Sequence, residues 1–401
     1  MKRHLIITLL LAAGMQVGHT QGAEIVIGKV DIVYSNILKE KRAIWVYVPE
    51  TNDKAQRFPV LYLLDAEEHF HSAVAIAKQL SGVLPDMIIV GITNTVRNRD
   101  LTPTHVKADA YVNEGYARVS GGGEDFLKFM RDELMPHVNA TYPASSYKMF
   151  SGHSLGGLAV VNAFLHHNNM FNAYIALDPS LWWDNKKLVK DAQAILPAAK
   201  LSNKVLFVAI ANNIPDGLDT LTVQNDTLNP NTILTRSVLS FVHAVGNANN
   251  IGLRWSDKFF PGERHGTVEL LAEYDALHFV FDYYNFSTRP FTENPNLNID
   301  SMVIAHYNLV SKNLGYKILP GEDMINELGY ACMGNNKMNK AYTFFKMNTD
   351  NYPTSANAFD SIGEYYENIG NKKMAIESYE KSLSLHETED TRRKLNELRK
   401  K

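Results

Sequence analysis

Tyr147-Lys148-Met149-Phe150-Ser151, followed by Gly152-His153-Ser154-Leu155-Gly156-Gly157, is the stretch on which the reading of this chain turns. The first five residues read as a strand, the glycines mark a tight turn, and Gly157–His166 continues as an apolar helical stretch. Strand, G-x-S-x-G turn and helix in that order put a serine on a strained corner. Glycines at Gly152 and Gly156 leave room for the backbone to pass, and the Ser154 hydroxyl is lifted above the sheet edge as a nucleophile.

Working outward, apolar runs with no polar face recur at Pro59–Asp65, Met87–Gly91, Ala173–Leu177 and Val205–Ile210, while Ala43–Pro49 alternates. Runs of that kind fit strands covered on both faces, as in a parallel sheet. Between them His71–Leu80, Glu124–His137 and Lys187–Leu196 read as helices. The alternation over residues 40–285 predicts one α/β domain with a mostly parallel sheet flanked by helices.

A serine hydroxyl needs a base, ordinarily a histidine later in the chain. His265 has the best setting, because Trp255–Phe260 reads as a strand, Pro261–Arg264 as a loop and Thr267–Val280 as a helix. A loop at the carboxyl end of the last strand reaches the sheet edge that carries Ser154. His278, inside an amphipathic helix, is the competing base. The orienting acid is expected after the strand Val205–Ile210, where the next residues are Ala211-Asn212-Asn213-Ile214-Pro215-Asp216-Gly217-Leu218-Asp219. Asp216 is the choice within loop reach; Asp219, Glu263, Asp178 and a dyad with no carboxylate compete. Acyl transfer also needs two N–H donors for the oxyanion. Leu155, opening the helix after Ser154, supplies one, and Ala66, in the loop after Leu61–Leu64, is expected to supply the other. Arg97 and Arg99 lie in the loop after Met87–Gly91, where a guanidinium could hold an acidic part of a substrate. Arg99 is taken as the substrate-binding candidate, with pairing to Asp100 or Glu124 as its alternative. Trp182 is taken as an aromatic wall.

With these residues in view, the chain resembles the esterase family of α/β hydrolases that includes IroE-like and enterochelin esterases, esterase D, and feruloyl and acetyl xylan esterases. The matching pieces are Val60–Asp65, Val90-Gly91-Ile92 with Arg97–Thr104, Gly152–Gly157, Ala176–Asp184 and the His265 loop, spread over roughly residues 30–285. The resemblance implies an α/β-hydrolase fold and a serine carboxylic ester hydrolase with Ser154 as nucleophile and His265 as base. It leaves the acid open, since IroE-like members can lack one. Siderophore enzymes of the family have glycine after the aspartate where this chain has Ala66, so enterobactin is not carried over as substrate. Acyl transfer to another acceptor, or a non-catalytic protein working through its C-terminal region, are the alternatives.

Beyond residue 285 the strand-like runs stop, and Pro290 and Pro295 mark a linker. Leu328-Gly329 and Ile362-Gly363, Ala341 and Ala375, and Phe345 and Tyr379 are each separated by 34 residues. That pattern resembles the tetratricopeptide repeat. At the other end Lys2 and Arg3, the apolar run Leu5–Met15 and the stretch to Gly22-Ala23 have the three-part form of a secretory signal. The expected organisation is therefore a signal at 1–23, a hydrolase domain at 24–290, a linker and connecting helix at 291–320, and helical repeats at 321–401. An exported, periplasmic or secreted protein follows, with no membrane span once the signal is removed.

The net charge of −3 conceals an uneven distribution. The signal carries +2 and the tail Thr391–Lys401 +5, which leaves −10 for residues 24–390. An acidic body argues against a nucleic-acid partner. With one cysteine, Cys332, no intrachain disulfide can form. No metal or organic cofactor is implied; the expected partner is a small-molecule ester, with the repeats open to a protein partner or self-association.

Overall fold

Every residue of the strand Phe58–Leu64 is buried, as an unbroken apolar run requires when helices cover both faces of a sheet. Alternate residues of that strand feed two different cores: Val60, Tyr62 and Leu64 pack into one layer, Leu61 and Leu63 into the other. The structure, a computed structural model, describes residues 24–51, 54–227, 229–248 and 252–400. The expected signal, residues 1–23, lies outside the described residues.

Eight strands form one sheet: β1 (Lys29–Ser35), β2 (Glu40–Tyr47), β3 (Phe58–Leu64), β4 (Ile88–Ile92), β5 (Ala144–His153), β6 (Ala173–Leu177), β7 (Lys204–Ala211) and β8 (Leu253–Phe260). Their order is β1-β2-β4-β3-β5-β6-β7-β8. β1 and β2 are antiparallel to their neighbours, and all later pairs are parallel. Parallel strands end at one edge, so the loops after β3, β5, β6, β7 and β8 converge there.

Helices α1 (Ala66–Gln79), α2 (Gly123–Phe129), α3 (Leu155–His166), α4 (Trp183–Ile195), α5 (Ile233–Asn247) and α6 (Glu269–Val280) cover the sheet. α2 runs on through a π-turn, Met130–Leu134, into Met135–Thr141. The residues of α2 to α5 lie in the first core, and those of α1 and α6 in the second. α3 is buried on every side from Leu155 to Leu165, which explains why its sequence is apolar all round rather than striped.

The C-terminal region is all helical: α7 (Ile299–Leu314), α8 (Glu322–Gly334), α9 (Met338–Asn351), α10 (Ala356–Asn368), α11 (Lys372–Leu385) and α12 (Glu389–Lys400). α7 joins it to the body. Its Val310 and Leu314 enter the core beneath the sheet, while Ile299 and Val303 enter the core of the helical region. Burying each such side chain stabilises the junction by about 1.5–3 kcal/mol. Within the helical region the same contact occurs twice, 34 residues apart. A Cβ at Gly329 would lie 2.6 Å from the Phe345 ring, and one at Gly363 2.6 Å from the Tyr379 ring. Four of the five basic residues of α12 meet carboxylates: Lys394 reaches Asp360 at 2.8 Å and also Glu364, Arg392 pairs with Glu387, Arg393 with Asp390, and Arg399 with Glu380. Much of the local excess of positive charge is thereby matched within the chain.

Candidate active site

β5 stops at His153, and Ser154 turns the chain into α3 with φ 59° and ψ −116°. A side chain is rarely found at such positive φ, so the surroundings must hold it there. The Ser154 N–H donates to the Leu177 carbonyl at 3.0 Å, and its own carbonyl accepts from Leu158 at 3.0 Å and Ser180 at 2.9 Å. Close approach explains two of the glycines. A Cβ at Gly152 would sit 2.6 Å from the Gly156 backbone, and one at Gly157 would sit 2.9 Å from Pro179. At Gly156, expected to be one of the two that clear the turn, the atoms nearest a Cβ would be the Asp65 carboxylate at 3.3 Å and the Leu64 side chain at 3.5 Å. Gly157 is the more crowded of the two.

His265 lies between β8 and α6, its Nε2 3.0 Å from Ser154 Oγ. Its Nδ1 lies 2.6 Å from Asp178 Oδ2. A carboxylate at Nδ1 keeps the proton on that nitrogen and leaves the Nε2 lone pair facing the serine hydroxyl. Asp178 follows β6 directly, has φ 40° and is fully buried. It also accepts from the Ala211 N–H at 3.1 Å and from Asn213 Nδ2 at 3.1 Å. Asn213 holds the other partner too, since its Oδ1 accepts the His265 N–H at 3.0 Å.

This arrangement corrects the choice of Asp216. That residue is exposed in the loop after β7, and the part of the loop that reaches His265 is the amide Asn213. The turn at the end of β6 brings the carboxylate of Asp178 back to the imidazole from one strand earlier. Asp219 closes a local turn on Leu221 and Thr222, and Glu263 accepts from Thr267. His278 lies on α6 against Tyr274, ring centroids 4.6 Å apart.

Leu155 and Ala66 are the first residues of α3 and α1. The first N–H groups of a helix have no acceptor within it. Asp65, before Ala66, is left-handed at φ 54°, ψ 51° and almost fully buried. Arg97 grips its carboxylate through two bonds, Nε to Oδ1 at 2.7 Å and Nη2 to Oδ2 at 2.8 Å, and Asn94 adds a third at 2.7 Å. Burial pushes the Asp65 carboxyl upward, but the bonds from Arg97 and Asn94 outweigh it and hold the group below its ordinary value.

Arg99 is engaged by carboxylates of its own neighbourhood. Its guanidinium is taken up by Glu40 at 2.6 Å and Asp100 at 2.7 Å, where Asp100 also pairs with the buried Arg42. The expectation of a substrate-binding Arg99 is corrected accordingly, and the alternative pairing with Asp100 is the one observed. Trp182 is half-buried, 6.0 Å from the Tyr111 ring and 5.9 Å from the Trp183 ring. It walls a pocket of about 310 Å³ with Tyr111, His105 and Val112. Ser180, two residues before it, has its hydroxyl 3.2 Å from Ser154 Oγ. No role for Ser180 or Asn213 was expected, and neither carries a motif of its own. His153 is buried with its ring 4.5 Å from that of His265. Burial, then the neighbouring His265, pushes its pKa down to about 4, so it is a neutral imidazole at pH 7.

The model of the Putative esterase family matches residues 35–236. Among curated proteins, the ferri-bacillibactin esterase BesA of Bacillus subtilis (strain 168) is 29% identical over 184 residues, 42% of this chain and 63% of that protein. The siderophore triacetylfusarinine C esterase of Aspergillus fumigatus is 30% identical over 162 residues, 36% of this chain and 52% of that protein. The chain thus spans between half and two thirds of the length of these relatives. Among solved structures, an IroE-like serine hydrolase from Shewanella oneidensis is 26% identical with a TM-score of 0.67, covering 80% of this chain and 99% of that one.

Proposed function

The chain belongs to the Putative esterase family, and on that premise we propose that it is a serine ester hydrolase working through an acyl-enzyme on Ser154. The observation that carries the proposal is the line of contacts from Ser154 Oγ to His265 Nε2 at 3.0 Å and from His265 Nδ1 to the buried Asp178 at 2.6 Å. In this reading His265 Nε2 takes the hydroxyl proton as Ser154 Oγ attacks the ester carbonyl carbon. Asp178 stabilises the resulting imidazolium. The Leu155 and Ala66 N–H groups receive the oxyanion, and Arg97 holds the Asp65 turn that aims the second of them. His265 then gives its proton to the leaving alkoxide. A water molecule, losing a proton to the same nitrogen, attacks the acyl-enzyme and regenerates Ser154.

Trp182 and Tyr111 give the neighbouring pocket an aromatic wall, which favours an ester with a flat ring in its acyl or alcohol part. The relatives named as siderophore esterases place siderophore esters in the substrate panel. We read residues 1–23 as an export signal and the helices after residue 321 as tetratricopeptide-like repeats, supported by the matching Gly329–Phe345 and Gly363–Tyr379 contacts. The deciding experiment is hydrolysis of p-nitrophenyl butyrate and a panel of aryl, acetyl-sugar and siderophore esters. Turnover is expected for at least one ester and is lost in Ser154→Ala. Turnover that survives in Ser154→Ala overturns the mechanism, and inertness toward every ester overturns the function.

A further inference from the structure

Behind the serine turn lies a second cluster of polar groups that the proposed chemistry does not use. His69 on α1, His153 at the end of β5 and Glu269 at the start of α6 bring three metal-ligand atoms within 4.8 Å of one another. The carboxylate of Glu269 stands between the two rings, with Oε1 3.4 Å from His69 Nδ1 and Oε2 3.8 Å from His153 Nδ1. Those distances are longer than hydrogen bonds. Both histidines are more than nine-tenths buried, and Nε2 of each has no hydrogen-bond partner. Glu273, one turn further along α6, is in the same state: buried, with Oε2 accepting from Ser151 at 2.6 Å and Oε1 left without a partner. These four side chains, with Ser72, Ser151, Leu63 and Leu177, line one small cavity. Buried polar atoms are costly to leave unpaired, and here the three side chains that carry such atoms line one space.

We propose that this cavity is a site for a divalent transition-metal ion, held by His69, His153 and Glu269. Two imidazoles and one carboxylate form a borderline donor set that suits Zn²⁺, Co²⁺ or Ni²⁺ rather than Mg²⁺ or Ca²⁺. Around a tetrahedral Zn²⁺ with bonds of about 2.0–2.1 Å, ligand atoms stand roughly 3.3 Å apart. Side-chain movements of the order of an ångström therefore close the cluster onto an ion. Water would complete the coordination, and Glu273 is placed in the cavity to accept a hydrogen bond from it. Glu269, with about a quarter of its side chain exposed, gives the ion a way in. The site differs from the Ser154 pocket but is coupled to it, since the His153 ring separates the proposed ion from His265. A positive charge there opposes formation of the His265 imidazolium, so occupancy slows ester hydrolysis.

The test is equilibrium dialysis of the metal-free protein against Zn²⁺ and, separately, Mg²⁺, with Co²⁺ used for its visible spectrum. One Zn²⁺ per chain is expected, no Mg²⁺, and a Co²⁺ spectrum with the intense bands of tetrahedral coordination. His69→Gln and Glu269→Gln should each weaken Zn²⁺ binding at least tenfold while circular dichroism remains that of the parent. Should His69→Gln not fold, Glu269→Gln, altered at a partly exposed helix start, decides alone. Zn²⁺ should also inhibit hydrolysis reversibly in the parent and much less in Glu269→Gln. Absence of stoichiometric Zn²⁺, or equal binding by parent and folded variants, overturns the site. Dialysis reads metal whether or not the protein hydrolyses esters, so a failure of this site and a failure of the proposed function are told apart.

Discussion

Replacing Asp178 by asparagine changes one oxygen to an NH2 group and disturbs a carboxylate that accepts three hydrogen bonds. Oδ2 accepts from His265 Nδ1 and Asn213 Nδ2, and Oδ1 from the Ala211 N–H. An amide has one oxygen, so either orientation sets its NH2 against a donor. If the NH2 faces Ala211, two buried N–H groups oppose each other. If it faces His265, the imidazole must offer a lone pair at Nδ1 and carry its proton on Nε2, pointing at Ser154 Oγ 3.0 Å away. In that tautomer it cannot take the serine proton. A change of this kind at a serine–histidine site lowers kcat by about 10³–10⁴-fold, or about 4–5.5 kcal/mol of transition-state stabilisation. KM should change little, because Asp178 lies behind the histidine, away from the substrate. The assay is steady-state hydrolysis of a p-nitrophenyl ester by Asp178→Asn and Asp216→Asn side by side. Asp216 is exposed, and its variant should keep the parent rate within about twofold. Near-normal activity in Asp178→Asn, or a large loss in Asp216→Asn, would remove Asp178 as the residue that orients His265.

Arg97→Lys keeps the charge beside Asp65 but not the paired grip, so kcat should fall about tenfold with KM nearly unchanged; a rise in KM alone would mean that Arg97 binds substrate instead. Gly157→Ala places a Cβ 2.9 Å from the Pro179 backbone, and overpacking of that kind costs about 1–3 kcal/mol, read as a lower melting temperature together with loss of activity. Glu273 offers a pH test in the metal-free protein. Burial raises its carboxyl to about 7, against a partial opposing effect of the bond from Ser151. The folded state therefore prefers the protonated acid. Its contribution is complete below about pH 4.5, falls as pH rises toward 7, and is gone above, a change of about 3 kcal/mol at most. Glu273→Gln should remove that slope, so that its melting temperature exceeds the parent's at pH 8 by more than at pH 5; parallel curves for the two proteins would contradict it.

The parts of the site legible in the sequence are those encoded locally. Gly152–Gly157 states its own turn, because the glycines stand where backbone passes backbone and the serine follows a strand. His265 could be placed from strand order alone, since it follows the last strand. Asp178 could not be singled out in that way. Its position depends on a left-handed residue after β6 and on Asn213 reaching across from the next loop, contacts between residues 35 apart that no local pattern announces. Arg97 and Arg99 show the same limit on a smaller scale. They share a single helical turn, Arg97–Asp100, and residues two apart on a helix face different sides. One guanidinium meets Asp65 and the other Glu40, a choice made by the packing of that turn against α2 rather than by composition. The sheet itself was readable because strands covered on both faces have no polar positions, and β3 is buried at every residue.

The proposed mechanism passes through a covalent acyl-enzyme on Ser154. Its most direct test is the intact mass and peptide map of the protein after reaction with a fluorophosphonate probe. One adduct per chain is predicted, carried by the peptide that contains Ser154, absent in Ser154→Ala and formed far more slowly in Asp178→Asn. An adduct on another residue, or none in a preparation that hydrolyses esters, would exclude Ser154 as the nucleophile.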